Sequence, residues 1–326
     1  MDDHFLKPMH RDPAPDFARR LRERLAAQGE ARAEWRVRPV PVFAVAAAIV
    51  VVVSLFAFPA VRVSAQAMLD LFRVRRFSAV AFDEKRVEKL RSMKPAEGAM
   101  LVFDKTETVR DPGPGQAFTD PIAAAAAAGL DARRPGYLPN GLQLDSVFVH
   151  GAGEARLTVS EAKLRSVLDA LDLRDVTVPA GLDGQVVDVK KPPTMVQRYK
   201  NGRWKAALIQ SNSPELSVPA GLDIERLAEI GLRVIGLDAA EAKRVAQSTD
   251  WRTTLVVPVP LNASTFRQVT VHGLPGLLIT TSARAAVDDS GQRDGSVVMW
   301  AEGDRVYAIA GNLGPADTLE MAESVR

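Results

Sequence analysis

The pattern of apolar and polar positions divides the chain into three stretches of different character. From Pro39 to Val61 the residues are almost wholly apolar and carry no charge, about the length a helix needs to cross the hydrocarbon core of a bilayer. A buried core helix seldom strings together more than about 14 apolar residues, and it normally shows a polar stripe, which this run lacks. The valines Val50 to Val53 are weak helix formers in water, but in lipid each amide must bond within its own segment, so helix is the only solution for a single span. Pro41 and Pro59 fall in the terminal turns, where a missing N–H costs least.

A secretory leader is the rival reading, because Ser64-Ala65-Gln66-Ala67 supplies small residues of the kind found at cleavage sites. The apolar run is longer than a leader's, and the polar stretch before it is far longer than a normal charged leader region. An uncleaved anchor therefore fits better. Seven arginines lie between Arg19 and Arg38, against Arg62, Arg73, Arg75 and Arg76 beyond the run. That bias places the N-terminus in the cytoplasm. The expected layout is a cytoplasmic tail 1–38, a transmembrane helix 39–61, a stalk 62–76 and an extracytoplasmic region 77–326, with a division into two subdomains near 130–220 left open.

In the tail, Asp16 is placed to cap a helix that runs to Gln28 and stops at Gly29. Phe17, Leu21 and Leu25 recur every four residues on an otherwise Arg/Glu-rich cylinder, a narrow apolar stripe. Two uses remain open for helix 16–28: lying on anionic lipid, or docking a cytosolic partner. One such helix does not make a domain by itself.

Past the anchor, the apolar spacing of Ala67 to Phe72 predicts that the stalk is helical, and the alternation from Phe77 to Phe82 predicts a strand. Asp83 to Lys94 reads as an exposed helix or linker, and Ala99 to Phe103 as a second strand. Asp111-Pro112-Gly113-Pro114-Gly115 is a loop. Asp120-Pro121 opens a helix over Ile122 to Ala128 that Gly129 stops. Pro135-Gly136-Tyr137-Leu138-Pro139-Asn140-Gly141 turns the chain into a strand from Leu144 to His150, and Ser160 to Leu171 is an amphipathic helix with Leu164, Val167, Leu168 and Leu171 on one face.

The string Val-Pro-Ala-Gly-Leu-Asp occurs at Val178 to Asp183 and again at Val218 to Asp223. A strand, Gln185 to Val189, follows the first copy and a helix, Ile224 to Leu237, follows the second, so one turn used twice competes with a duplicated subdomain. A hairpin at Tyr199 to Trp204, a helix from Asp238 to Gln247, strands at Thr253 to Val259, Gln268 to Val271, Gly276 to Thr281, Val297 to Ala301 and Arg305 to Ala310, and a closing helix Pro315 to Val325 complete the chain. Strands joined by short turns with helices between them argue for an α+β region with mostly antiparallel sheet.

A net charge of +2 gives no field that would attract nucleic acid directly. The absence of cysteine removes disulfides, thiolate chemistry and cysteine-bound metals. His4, His10, His150 and His272 belong to no ligand-spaced cluster, so the reading assigns no metal and no cofactor. Ser160-Glu161-Ala162-Lys163 fits Ser-x-x-Lys without its companion motifs and reads as a helix cap. Gly113-Pro114-Gly115 and Gly151-Ala152-Gly153 are too short to cradle a phosphate, and the expectation is a protein that is not an enzyme. Asn262-Ala263-Ser264 matches a glycosylation sequon but carries no weight in a chain of bacterial composition. Tyr137, Tyr199, Trp204, Trp251, Trp300 and Tyr307 have polar handles. Trp300 and Tyr307 flank the last hairpin, where they either pack in the core or line a groove.

The layout as a whole resembles membrane-anchored bacterial anti-sigma factors with an extracytoplasmic domain of unknown function. The residues that carry the resemblance are the Arg-rich tail helix, the single span, its exit Ala65-Gln66-Ala67-Met68-Leu69-Asp70-Leu71-Phe72-Arg73-Val74, the Pro135 to Gly141 turn, and the final segment Val297 to Tyr307 followed by Ala316 to Val325. The resemblance implies a cytosolic sigma factor as partner of the tail and a signal or ligand in the cell envelope. Such proteins usually wrap their sigma factor with three or four helices, often with a His-x-x-x-Cys-x-x-Cys zinc motif, which this chain lacks, so no functional residue carries over. The alternative is a non-catalytic envelope binding or scaffold module that the span only tethers.

Overall fold

Phe72 and Val74 alternate with Arg73 and Arg75, and that two-residue period, rather than a helical one, describes how the chain enters its folded region. The computed structural model describes residues 72–93, 102–217, 219, 223–260, 264–281 and 295–326. The tail helix 16–28 with Phe17, Leu21 and Leu25, the span 39–61 and the stalk up to residue 71 lie outside the described residues, as do His4 and His10. Among the described residues, no helix is long and apolar enough to cross a membrane.

The helical stalk is corrected over its described part. Phe72 bridges Leu216, and the amides of Arg73 and Arg75 donate to the carbonyls of Arg252 (3.0 Å) and Thr253 (2.8 Å). Val74 is fully buried. The bridge to Leu216 and the bonds to Arg252 and Thr253 are those of extended backbone, and they bury Val74 while Arg75 stays in water.

In chain order the elements are β1 (Arg76–Phe82), α1 (Glu84–Ser92), β2 (Phe103–Arg110), β3 (Gln116–Phe118), α2 (Pro121–Ala128), β4 (Gln143–His150), β5 (Gly153–Val159), α3 (Glu161–Ala170), β6 (Val186–Lys191), β7 (Thr194–Asn201), β8 (Trp204–Asn212), β9 (Glu215–Ser217), α4 (Ile224–Val234), α5 (Ala239–Ser248), β10 (Thr254–Pro260), β11 (Ser264–Val271), β12 (Leu274–Thr281), β13 (Gly295–Glu302), β14 (Arg305–Gly311) and α6 (Pro315–Glu323). The helix starts follow from local chemistry. Asp83, Asp120, Ser160, Asp223 and Asp238 each accept a backbone N–H of the first turn of the helix they precede. Gly129 ends α2 at φ 66°, a conformation that glycine adopts without a Cβ penalty.

The region is α+β with mostly antiparallel sheets. An eight-stranded antiparallel sheet runs in the order β11-β12-β13-β14-β8-β7-β4-β3, and a four-stranded one runs β2-β5-β6-β9. The exception is β1, which pairs in parallel with β10 from Arg76↔Thr254 to Phe82↔Pro260. Residues 99–101 of the strand expected at Ala99 to Phe103 lie outside the described residues, β2 begins at Phe103, and β3, β5 and β9 are additional to the sequence reading. All but the first residue of β2 are exposed, so it has no apolar alternation to betray it.

The β1–β10 pair is the junction of the molecule. On one side Val80, Phe82 and Val256 pack against Ala228, Leu232, Ala242 and Ala246 of α4 and α5. On the other, Phe77, Val257 and Val259 pack against Leu277, Ile279 and Ala301 of the large sheet. The small sheet buries Phe103, Leu157, Val159 and Val187 under α3 and α4. The opposite face of the large sheet is covered by α2, through Ala124, Ala125 and Ala128, and by α6, through Met321 and Ala322. The two Val-Pro-Ala-Gly-Leu-Asp strings end in aspartates that cap different helices. Asp183 accepts the Glu161 amide of α3, upstream of it, whereas Asp223 caps α4, which follows it.

Candidate functional site

Strand alternation puts Val298 and Trp300 of β13 on the face that carries Tyr307 and Ile309 of β14, and Trp300 and Tyr307 are direct cross-strand partners. Their rings stack, with centroids 5.2 Å apart and 14° between planes. Both are buried. Glu302, two residues beyond Trp300 on the same face, accepts the indole N–H at 3.0 Å. The two expected aromatics thus form one packed unit, and that unit holds a carboxylate.

A second hairpin brings the partner of that carboxylate. His272 and Gly273 join β11 to β12 with φ of 51° and 76°, the double positive φ of a tight hairpin turn. This places the imidazole edge-on to Trp300, with Nδ1 2.7 Å from Glu302 Oε1 and Nε2 2.9 Å from the Glu323 carbonyl. The His272 amide donates to Glu323 Oε2 at 2.9 Å. A carbonyl only accepts, so the contact with Glu323 makes Nε2 the donor. Burial alone would raise the Glu302 carboxyl, but the hydrogen bonds from His272 and Trp300 and the nearby charges of His272 and Arg133 outweigh it and hold the group below its ordinary value.

Over this face lies the segment 131–138, fastened by buried side-chain amides. Gln197 Nε2 donates to the Arg133 carbonyl (2.7 Å) and to Gln210 Oε1 (2.9 Å), Gln210 Nε2 donates to the Asp131 carbonyl (3.3 Å), and the Tyr199 hydroxyl donates to Gln197 Oε1 (2.9 Å). Gln197 and Gln210 are buried, so these bonds are the only return on their desolvation. Burial pushes the Tyr199 hydroxyl up to about 12, which keeps it a donor. The segment also pairs with the C-terminus: Arg134 and Arg326 exchange backbone bonds at 3.0 Å, and the Gly136 amide donates to the Ser324 carbonyl.

Arg133 therefore sits on the rim between two shallow grooves. One lies among Arg133, Tyr137, His272 and Glu323. The other, of about 500 Å³, lies among Arg133, Asn212, Glu302, Asp304, Arg305 and Tyr307. In the second, Arg305 pairs with Asp131 and Asp304 with Arg73. Arg133 comes no nearer than 3.8 Å to Glu302, beyond hydrogen-bond distance. The Tyr307 hydroxyl is buried with no hydrogen-bond partner. Its burial and the charge of Glu302 raise it above the ordinary phenol value, while Arg133 and Arg305 pull the other way without reversing the shift.

The other candidate residues are dispersed. Trp204 lies beneath the Arg203 guanidinium, and the Trp251 indole donates to the Ala246 carbonyl. Ser160 caps α3, and the Lys163 amine is engaged by the Phe103 carbonyl and Asp104, so the Ser-x-x-Lys pattern brings no amine to the serine. His150 sits on β4 beside Lys191 and Arg198, whose charges add to burial in lowering its pKa. No group of three His, Cys, Asp or Glu able to hold a metal ion occurs among the described residues. Arg133, Glu302, Arg305 and the two glutamines were beyond reach of sequence motifs. Only the two-residue spacing of Trp300 and Glu302 within a strand hinted that they share a face. Neither a family model nor a curated protein matches the chain.

Proposed function

We propose that this chain is a single-pass membrane protein of the cell envelope, N-terminus inside, whose outer α+β domain senses or binds a ligand and whose tail acts on a cytosolic regulator such as a sigma factor. The run 39–61 and the tail helix 16–28 motivate the two ends of this reading. The observation that carries it is the way the chain beyond the apolar run is built in. Phe72 bridges β9, the Val74 amide donates to Ser213 Oγ at 2.6 Å, and β1 is clamped between the large sheet and α4–α5. A segment tied into the core along its length transmits a rearrangement of the domain toward the membrane, whereas a flexible tether would absorb it.

The absence of cysteine makes the topology directly testable. In intact cells a membrane-impermeant maleimide should label Lys105→Cys, which lies on an exposed strand, and should spare Asp12→Cys; labelling of both or of Asp12→Cys alone sinks the topology. The regulatory half is tested separately by co-purification. Full-length protein should retain a sigma factor that a 16–28 deletion loses, and equal yields from the two would leave only a tethered envelope module.

A further inference from the structure

The second groove is lined by hydrogen-bonding groups that are only partly paired. One oxygen of each carboxylate is committed: Glu302 Oε1 takes both Trp300 and His272, Asp304 Oδ2 takes Arg73 at 2.8 Å, and Asp131 Oδ2 takes Arg305. The Arg133 side chain makes no hydrogen bond among the described residues, its nearest carboxylate oxygen lying 3.8 Å away. Arg305 gives Nη1 to Asp131, and its guanidinium also lies beside the Tyr307 hydroxyl. The Tyr307 hydroxyl, on the same groove, is buried and makes no hydrogen bond of normal geometry, although the Arg305 guanidinium lies beside it. An unpaired buried hydroxyl is destabilising, and its ring cannot swing away because it is stacked on a fully buried Trp300.

We propose that this groove binds a small oxyanion, a carboxylate or phosphate group, held by Arg133 and Arg305 across its two sides and by the Tyr307 hydroxyl from below. Planar guanidinium groups offer paired N–H donors that match such groups. The groove is open rather than enclosed, so it takes an exposed head group and not an engulfed molecule.

The position of the groove connects occupancy to the incoming chain. Asp304, on its rim, holds Arg73, and the Asp304 carbonyl accepts the Ser213 amide at 2.7 Å, while Ser213 Oγ accepts the Val74 amide. An oxyanion bridging Arg133 to Arg305 steadies the β13–β14 turn, and with it the attachment of residues 73 and 74. The sensory role of the ligand rests on the proposed function; its binding does not.

The test is calorimetric titration of the full-length protein in phosphatidylcholine nanodiscs with inorganic phosphate and with succinate, at constant ionic strength. Saturable binding of one or both is expected with a Kd near or below roughly 1 mM. Arg133→Gln should weaken it at least ~10-fold and Tyr307→Phe, which keeps the ring stack, ~5-fold, while Arg203→Gln leaves it unchanged. No saturable binding, or wild-type binding by both groove variants, overturns the proposal. Phosphate binding alone assigns a phosphate-bearing ligand, and succinate binding alone a carboxylate. Hydrogen exchange read on the same samples should show residues 72–82 protected on binding in the wild type and unprotected in Arg73→Gln, which still binds. Protection unchanged by ligand in the wild type removes the coupling. A failed topology or sigma-factor experiment leaves every one of these readings standing.

Discussion

The two sheets bury different chemistry. The core of the small sheet is leucine, valine and isoleucine with Phe103 as its aromatic, whereas the large sheet buries Trp300, Tyr307 and Tyr199 together with Gln197 and Gln210. Aliphatic packing is non-directional, so it holds elements together without dictating which polar group faces which. Buried amides and hydroxyls are directional, and leaving one unpaired is expensive. The second kind of core is what fixes segment 131–138, and with it Arg133, relative to β13 and β14. Both grooves consequently sit on the large sheet.

The largest expected effect that tests this contrast is Trp300→Ala, which removes the stacked partner of Tyr307 and a fully buried ring, at about 3–5 kcal/mol by the usual cost of such truncations. Denaturant unfolding should show the loss, and phosphate or succinate binding should fall with it; binding at wild-type affinity would mean that the stack does not position the groove. Leu182→Ala in the small-sheet core should cost about 2–5 kcal/mol yet leave the anion titration unaltered. If it weakens binding as much as Trp300→Ala does, the division of labour between the sheets fails.

Gln197→Leu is smaller but more diagnostic. It strands the Tyr199 hydroxyl, Gln210 Oε1 and the Arg133 carbonyl, and about 1–3 kcal/mol is expected, as for a broken buried network. Hydrogen exchange of residues 131–138 should rise selectively, and a uniform rise over both sheets would contradict the role given to the amide.

Two pH effects follow, each smaller still. Glu302 is held below its ordinary carboxylate value of 4.5 in the folded protein, so the unfolded chain takes up the proton first. Its contribution is complete above that value and is lost as pH falls through the depressed folded one. Glu302→Gln should flatten the acid limb of stability below about pH 4.5; an unchanged limb would show that His272 and Trp300 add nothing there. His150 is lowered from 6.5 by burial and by Lys191 and Arg198, so again the unfolded state protonates first and stability declines as pH drops below 6.5. His150→Gln should remove part of the slope between about pH 7 and 5, measured as the change in thermal midpoint across that range.

Much of the secondary structure was legible locally. The helix over Ile122 to Ala128 could be read from Asp120-Pro121 and Gly129, and Leu164, Val167, Leu168 and Leu171 are buried together as their spacing predicts. Strand β2 escaped because its sequence, Phe-Asp-Lys-Thr-Glu-Thr-Val-Arg, lies at an exposed edge with no buried face to pattern. The stalk reads as helical from the apolar spacing of Ala67 to Phe72, whereas residues 72–75 are held extended by pairing with Arg252, Thr253 and Leu216, which no local pattern shows. Of the site, only Trp300 and Tyr307 were named in advance, and their stacking against Glu302 and His272 was not.

By itself the sequence determined where helices begin and end, where hairpins turn and where an uncharged run interrupts a polar chain, because caps, turns and hydropathy depend on neighbours within a few residues. Only the tertiary structure decided that β1 lies parallel to β10, that Arg73 meets Asp304, and that His272, Glu302 and Glu323 converge. Those contacts join residues far apart in the chain. Their partners are chosen by which faces the whole fold buries, a choice that no local pattern encodes.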